Sequence, residues 1–138
     1  MLLVESSESK VGIISCSGEA CVEGTVSRVA TRMVLEKLRP NRTVTICLPL
    51  FLAGGEEERA FARYYPTITV DGCKKLCAKA GTERYSGKPV SSIVVSDLTG
   101  NPDCSKASPR RQLDREGLVL AEKVAQEITK EIDNVLSH

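Results

Sequence analysis

The stretch Thr67-Ile68-Thr69-Val70-Asp71-Gly72-Cys73-Lys74-Lys75-Leu76-Cys77 decides how the chain is read. Thr67 to Val70 alternates threonine with two β-branched apolar residues, which predicts a strand. Asp71-Gly72 breaks it, because glycine tolerates backbone angles that other residues avoid. A helix is expected next, with Cys73 near its start, where unpaired N–H groups favour a thiolate. Cys77 lies four residues on, so a helix would put both sulfurs on one face, one turn apart. Two thiolates on one tetrahedral zinc stand only about 3.8 Å apart, given Zn–S bonds of about 2.3 Å. The plainer alternative is two small buried residues on the inner face of a helix.

Outward from this stretch, the chain alternates strand and helix. Val11 to Ser15 is a near-continuous apolar run, as expected of a strand buried on both faces, and it ends at Cys16-Ser17-Gly18. Val22, Val26, Val29, Ala30, Met33, Val34 and Leu38 follow helical spacing up to Pro40. Thr43 to Leu48 reads as a second strand carrying Cys47 near its end. Gly54-Gly55 opens a helix with Glu56, Glu57 and Glu58 in its first turn, and Pro66 closes it. The cysteine helix closes near Gly81, and Ser92 to Ser96 is a fourth strand ended by Asp97. Residues 98–113 read as a long loop. Leu118, Ala121, Ala125, Ile128, Ile132 and Val135 form a last apolar stripe, read as packing on the sheet rather than as a coiled-coil seam. The expected fold is α/β: an open parallel sheet of about four strands in order 2-1-3-4, flanked by helices in a Rossmann-like three-layer arrangement.

That topology brings the cysteines together. Cys16 follows the first strand, Cys47 ends the second and Cys73 follows the third, so all three fall on one edge of a parallel sheet. Ligands of open α/β sheets bind outside the carboxyl edge. Cys77 rides on the helix that starts there. Four sulfurs far apart in sequence therefore meet at one site, and four thiolates suit zinc or an iron–sulfur cluster.

The same residues carry a resemblance. The segment Asp71-Gly72-Cys73 with Cys77-Ala78, the early Cys16-Ser17-Gly18 and Cys47-Leu48 resemble the DGC-domain family over about residues 10–100. The resemblance implies zinc rather than a cluster, with Cys16, Cys47, Cys73 and Cys77 as ligands, and implies no particular activity. Two positions depart from the family's pattern. Glu19-Ala20-Cys21-Val22 replaces a small polar run, so Cys21 is a further candidate that could join or replace a ligand. Lys74 stands where a proline is expected, which affects only the helix start.

Composition narrows the remaining options. The chain has 138 residues, enough for a single domain with a core, and its first nine residues read as a polar lead-in. A formal net charge of +1 argues against broad nucleic-acid or membrane binding. No apolar run reaches membrane-spanning length, and Met1 to Val4 is too short for a signal-peptide core. A cytoplasmic location is expected, where clustered cysteines bind metal or do redox work more often than they form disulfides. Cys104 in the long loop and the terminal His138 are not expected to be ligands. The rival reading is thiol/disulfide redox or sulfur handling, with Cys16 and Cys73 both at helix starts, although a Cys-x-x-Cys motif is missing. A cysteine-phosphatase loop is excluded. Cys104 and Arg110 have its spacing, but no glycine lies between them and Pro109 removes a donor. Gly54-Gly55 lacks the lysine and hydroxyl of a phosphate loop. Asp71 and Asp97 read as helix caps or as groups orienting a ligand, and Lys74, Lys75 and Lys79 as a solvated face or as countercharge.

Overall fold

The computed structural model describes residues 9–18, 20–99 and 112–137. Cys104, Arg110, His138 and most of the polar lead-in and of the long loop lie outside the described residues. The elements are β1 (Val11–Ser15), α1 (Val22–Met33, continued by a π-helical turn at Val34–Leu38), β2 (Thr43–Thr45), α2 (Leu48–Leu52), α3 (Glu56–Tyr64), β3 (Thr67–Asp71), α4 (Cys77–Tyr85), β4 (Ser91–Val94), α5 (Val95–Thr99) and α6 (Arg115–Leu136). The four strands form one parallel sheet in order β2-β1-β3-β4, as the alternation of elements requires.

Side chains alternate across this sheet and make two cores. Val11 and Ile13 of β1, Ile68 and Val70 of β3 and Ile93 of β4 point to one face. There they meet Val26, Ala30 and Val34 of α1 and Ala121, Val124, Ala125, Ile128 and Ile132 of α6. The last helix therefore packs on the sheet, but Leu118 is 45% exposed and Val124 takes a place in the stripe instead. On the other face Ile14, Phe61 and Ala78 form a smaller core with Cys16, Val44 and Leu48 around it. Gly12 also points to that face, and a Cβ there would overlap the Phe61 ring, so glycine lets α3 lie close on β1. Among the described residues no helix is long and apolar enough to cross a membrane.

Four expected boundaries move. β2 stops at Thr45, and Cys47 is instead the N-cap of the short helix α2, with Pro49 in its first turn. Proline suits a first turn, where N–H groups have no helical partner anyway. β4 stops at Val94, and Val95 and Ser96 open α5, started by a bond from the Ser96 N–H to the Gly72 carbonyl at 3.1 Å. α4 runs past Gly81 to Tyr85. It also starts later than expected, at Cys77, which changes the geometry of the cysteines.

Candidate metal centre

The ladder between β1 and β3 extends one residue beyond the strands. The Cys16 N–H donates to the Val70 carbonyl at 2.9 Å, and the Gly72 N–H donates to the Cys16 sulfur at 3.3 Å. An N–H aimed at the sulfur fixes its direction. The Cys16 sulfur also stands 3.5 Å from the Ser27 hydroxyl of α1. Cys16 is thus held by the loop after β3 and by the helix after β1.

Two glycines make that meeting possible. A Cβ on Gly24, in the first turn of α1, would overlap the Gly18 carbonyl oxygen. A Cβ on Gly72 would stand 2.7 Å from the Gly24 nitrogen and 2.8 Å from the Glu23 carbonyl carbon. The loop after β1, the start of α1 and the loop after β3 therefore touch backbone to backbone. Periodicity does not reveal this contact. An isolated glycine inside a helical pattern, Gly24, is the signal that could have suggested it.

Cys73 and Cys77 do not share a helix. After Gly72 the chain makes a turn in which the Leu76 N–H donates to the Cys73 carbonyl at 3.2 Å. Leu76 then adopts a left-handed conformation at φ 55°, and Cys77 is the first helical residue. The one-turn spacing on a helix face is replaced by a turn followed by a helix start. Ser17, at φ 52°, is also left-handed. Among the described residues these are the two non-glycine positions with positive φ, and each adjoins a candidate ligand, Cys16 or Cys77. Such backbone costs about 1–3 kcal/mol and persists where surroundings over-determine it.

Asp71 anchors the turn. Its buried carboxylate accepts the Ala78 N–H at 2.6 Å and the Lys79 N–H at 3.1 Å. It caps α4 from six residues ahead of the helix, so the capping reading holds. Burial raises the Asp71 pKa, and the two N–H bonds and the nearby Lys79 charge offset this only in part. A folded pKa above the unfolded value means the native state holds the extra proton. Stability from this group is therefore greatest at low pH and declines as pH rises from the unfolded value through the folded one. Asp71→Asn keeps one acceptor and turns an amide NH₂ toward the second donor. A net loss of about 1 kcal/mol is expected at neutral pH. In urea melts the parent should gain stability relative to this variant as pH is lowered; a relative loss would contradict the burial argument. Asp97 lies exposed in α5, and Lys74 and Lys75 are exposed, whereas Lys79 pairs with Glu83 at 3.5 Å.

Helix starts fall on different cysteines from those expected. Cys21 is the buried N-cap of α1, Cys47 the N-cap of α2 and Cys77 the first residue of α4, while Cys16 and Cys73 precede helices without capping them. The premise of two helix-start thiols at Cys16 and Cys73 is overturned. Cys77 keeps solvent exposure, yet partial burial raises its thiol pKa. The charges of Asp71, Cys16 and Cys73 raise it further, against the pull of Lys75.

Cys16 stands between two clefts. One of about 160 Å³ is shared with Cys77, Ala78 and Thr82 of α4. The other, of about 450 Å³, is shared with Cys47 and the inner stripe of α1. Cys16 and Cys73 each lie within electrostatic reach of Cys77, and Cys47 lines the larger cleft together with Cys16. Cys21 lines neither. All five described cysteines are unpaired. Among the described residues no three His, Cys, Asp or Glu side chains stand close enough to hold a metal ion in this conformation. The donor chemistry, thiols with no carboxylate or imidazole among the candidates, is of the kind that suits a thiolate-binding metal.

An open parallel α/β sheet with cysteines gathered on its carboxyl edge defines the class of protein. Residues 12–116 match the DGC domain, and the chain belongs to that family. No curated protein and no solved structure matches the chain.

Proposed function

We propose that this is a zinc-binding protein that uses Cys16, Cys47, Cys73 and Cys77 in a structural, metal-handling or sensing role. The observation that carries the reading is the position of Cys16. Its sulfur accepts an N–H bond from the loop that carries Cys73 and lines clefts shared with Cys77 on one side and Cys47 on the other. Four thiolates and no other donor favour zinc over harder cations. With all four bound the site is closed; with Cys47 off the metal it keeps an open position for a ligand or an acceptor protein. Unpaired cysteines support a reducing compartment, the cytoplasm in this reading. The metal ion is the partner proposed, with neither nucleic acid nor membrane.

Elemental analysis of the full chain, purified under reducing conditions without added metal, tests this. About one zinc per chain is expected, with the four thiols shielded from alkylation until chelator is added. Ligand thiols must lose protons, so affinity should fall on acidification. Because the Cys77 pKa is raised, proton competition should begin above the pH at which an ordinary thiol would compete. Metal-free protein that forms an internal disulfide on mild oxidation would replace the zinc reading with the redox one.

A further inference from the structure

We propose that the larger cleft binds the carboxylate or phosphate group of a small organic molecule through Arg28, beside the cysteine edge. The cleft, of about 450 Å³, opens beyond the carboxyl ends of β1 and β2, where parallel α/β sheets take their ligands. One stripe of α1 forms its wall: Arg28, Thr31, Arg32 and Leu35, at steps of three, one and three. Among the described residues the lining holds two guanidinium groups and no acidic side chain.

Hydrogen bonding shows which of these groups are spent. Thr31 donates its hydroxyl to the Ser27 carbonyl at 2.8 Å, and Thr45 to the Ile13 carbonyl at 2.6 Å. Arg32 pairs with Glu36 on the exposed flank of the helix. Arg28 is half-buried and has no hydrogen-bond or ion-pair partner among the described residues. Ser15 and Ser17, also on the lining, share one hydrogen bond at 3.0 Å, which leaves one hydroxyl hydrogen of the pair for a ligand. A guanidinium offers a planar fork that matches carboxylate or phosphate oxygens. Ile14, Ile46 and Leu48 complete the wall with apolar surface, which suits a carbon-bearing body rather than an inorganic ion alone.

The probes are inorganic phosphate, butyrate and propyl phosphate, titrated into the full chain with binding read from NMR shifts of amides in residues 15–17 and 45–48. Millimolar binding of an organic anion is expected, at least about tenfold weaker in Arg28→Gln. Lys37→Gln removes a charge from the same helix outside the cleft and should leave binding unchanged. Tighter butyrate binding would assign a carboxylate ligand, and tighter propyl phosphate binding a phosphate ester. Arg28 is no member of the cysteine set, so titration before and after chelator separates this test from the zinc reading. Absence of binding, equal binding by Arg28→Gln, or an equal loss in Lys37→Gln would overturn the proposal. So would phosphate binding as tightly as both organic probes.

Discussion

With zinc on the proposed cysteines, Cys16→Ser protein should lose it, with an affinity drop exceeding the roughly 10–100-fold typical of disturbing a ligand's outer partners. The residue does more than contribute one sulfur. Its backbone extends the β1–β3 ladder, and its side chain receives the Gly72 N–H, so the loop bearing Cys73 is oriented on it. Serine preserves the backbone bond and nearly the volume, but a hydroxyl is a poor replacement for thiolate on zinc at neutral pH. The variant should therefore remain folded while failing to retain metal. Competition with a chromophoric chelator would measure the change. Cys21→Ser serves as the comparison, because Cys21 caps α1 without a side-chain bond and serine is a preferred cap. If Cys16→Ser bound zinc like the parent, or Cys21→Ser lost it instead, the ligand set would need to be redrawn around α1.

Two helical glycines should respond to alanine with opposite sign. Gly81, inside α4, has nothing within 4 Å of where a Cβ would stand. Gly81→Ala should stabilise by about 1 kcal/mol, the ordinary gain in helix propensity. Gly24→Ala has the same gain available, but its methyl would meet the Gly18 carbonyl. Backbone cannot rotate out of the way as a side chain does, so the overpacking cost lies at the upper end of about 1–3 kcal/mol or above it. A net loss of about 2 kcal/mol is expected, together with weaker zinc binding, because the displaced loops carry Cys16 and Cys73. Urea melts and zinc titration on the same preparations would measure both. Gly24→Ala protein as stable and as zinc-competent as the parent would show that the backbone contact does not hold the site together.

Local pattern carried most of the architecture. Apolar runs at Val11 to Ser15 and Thr67 to Val70, with helical spacing between, predict parallel strands joined by crossovers, and the expected order 2-1-3-4 is the one observed. The same topology puts Cys16 and Cys73 at one edge, since parallel neighbours end on the same side. That much depends on side-chain periodicity and chain connectivity, which a sequence contains in full. The capping role of Asp71 was also legible, as one of two readings of an acid before a helix.

Tertiary contacts decided the rest. The step from Cys73 to Cys77 has helical spacing, yet Asp71 reaches forward to the Ala78 and Lys79 N–H groups, so the helix begins at Cys77. A left-handed Leu76 is not what a leucine prefers; it is imposed where the turn must join a capped helix to a loop pressed against α1. Cys47 moved from strand to helix cap because β2 pairs with β1 for only three residues before the chain turns at Pro49. In each case alternative hydrogen-bond partners competed for the same backbone. Local propensity cannot rank such competitors, because the outcome depends on which partner the fold brings within hydrogen-bonding distance.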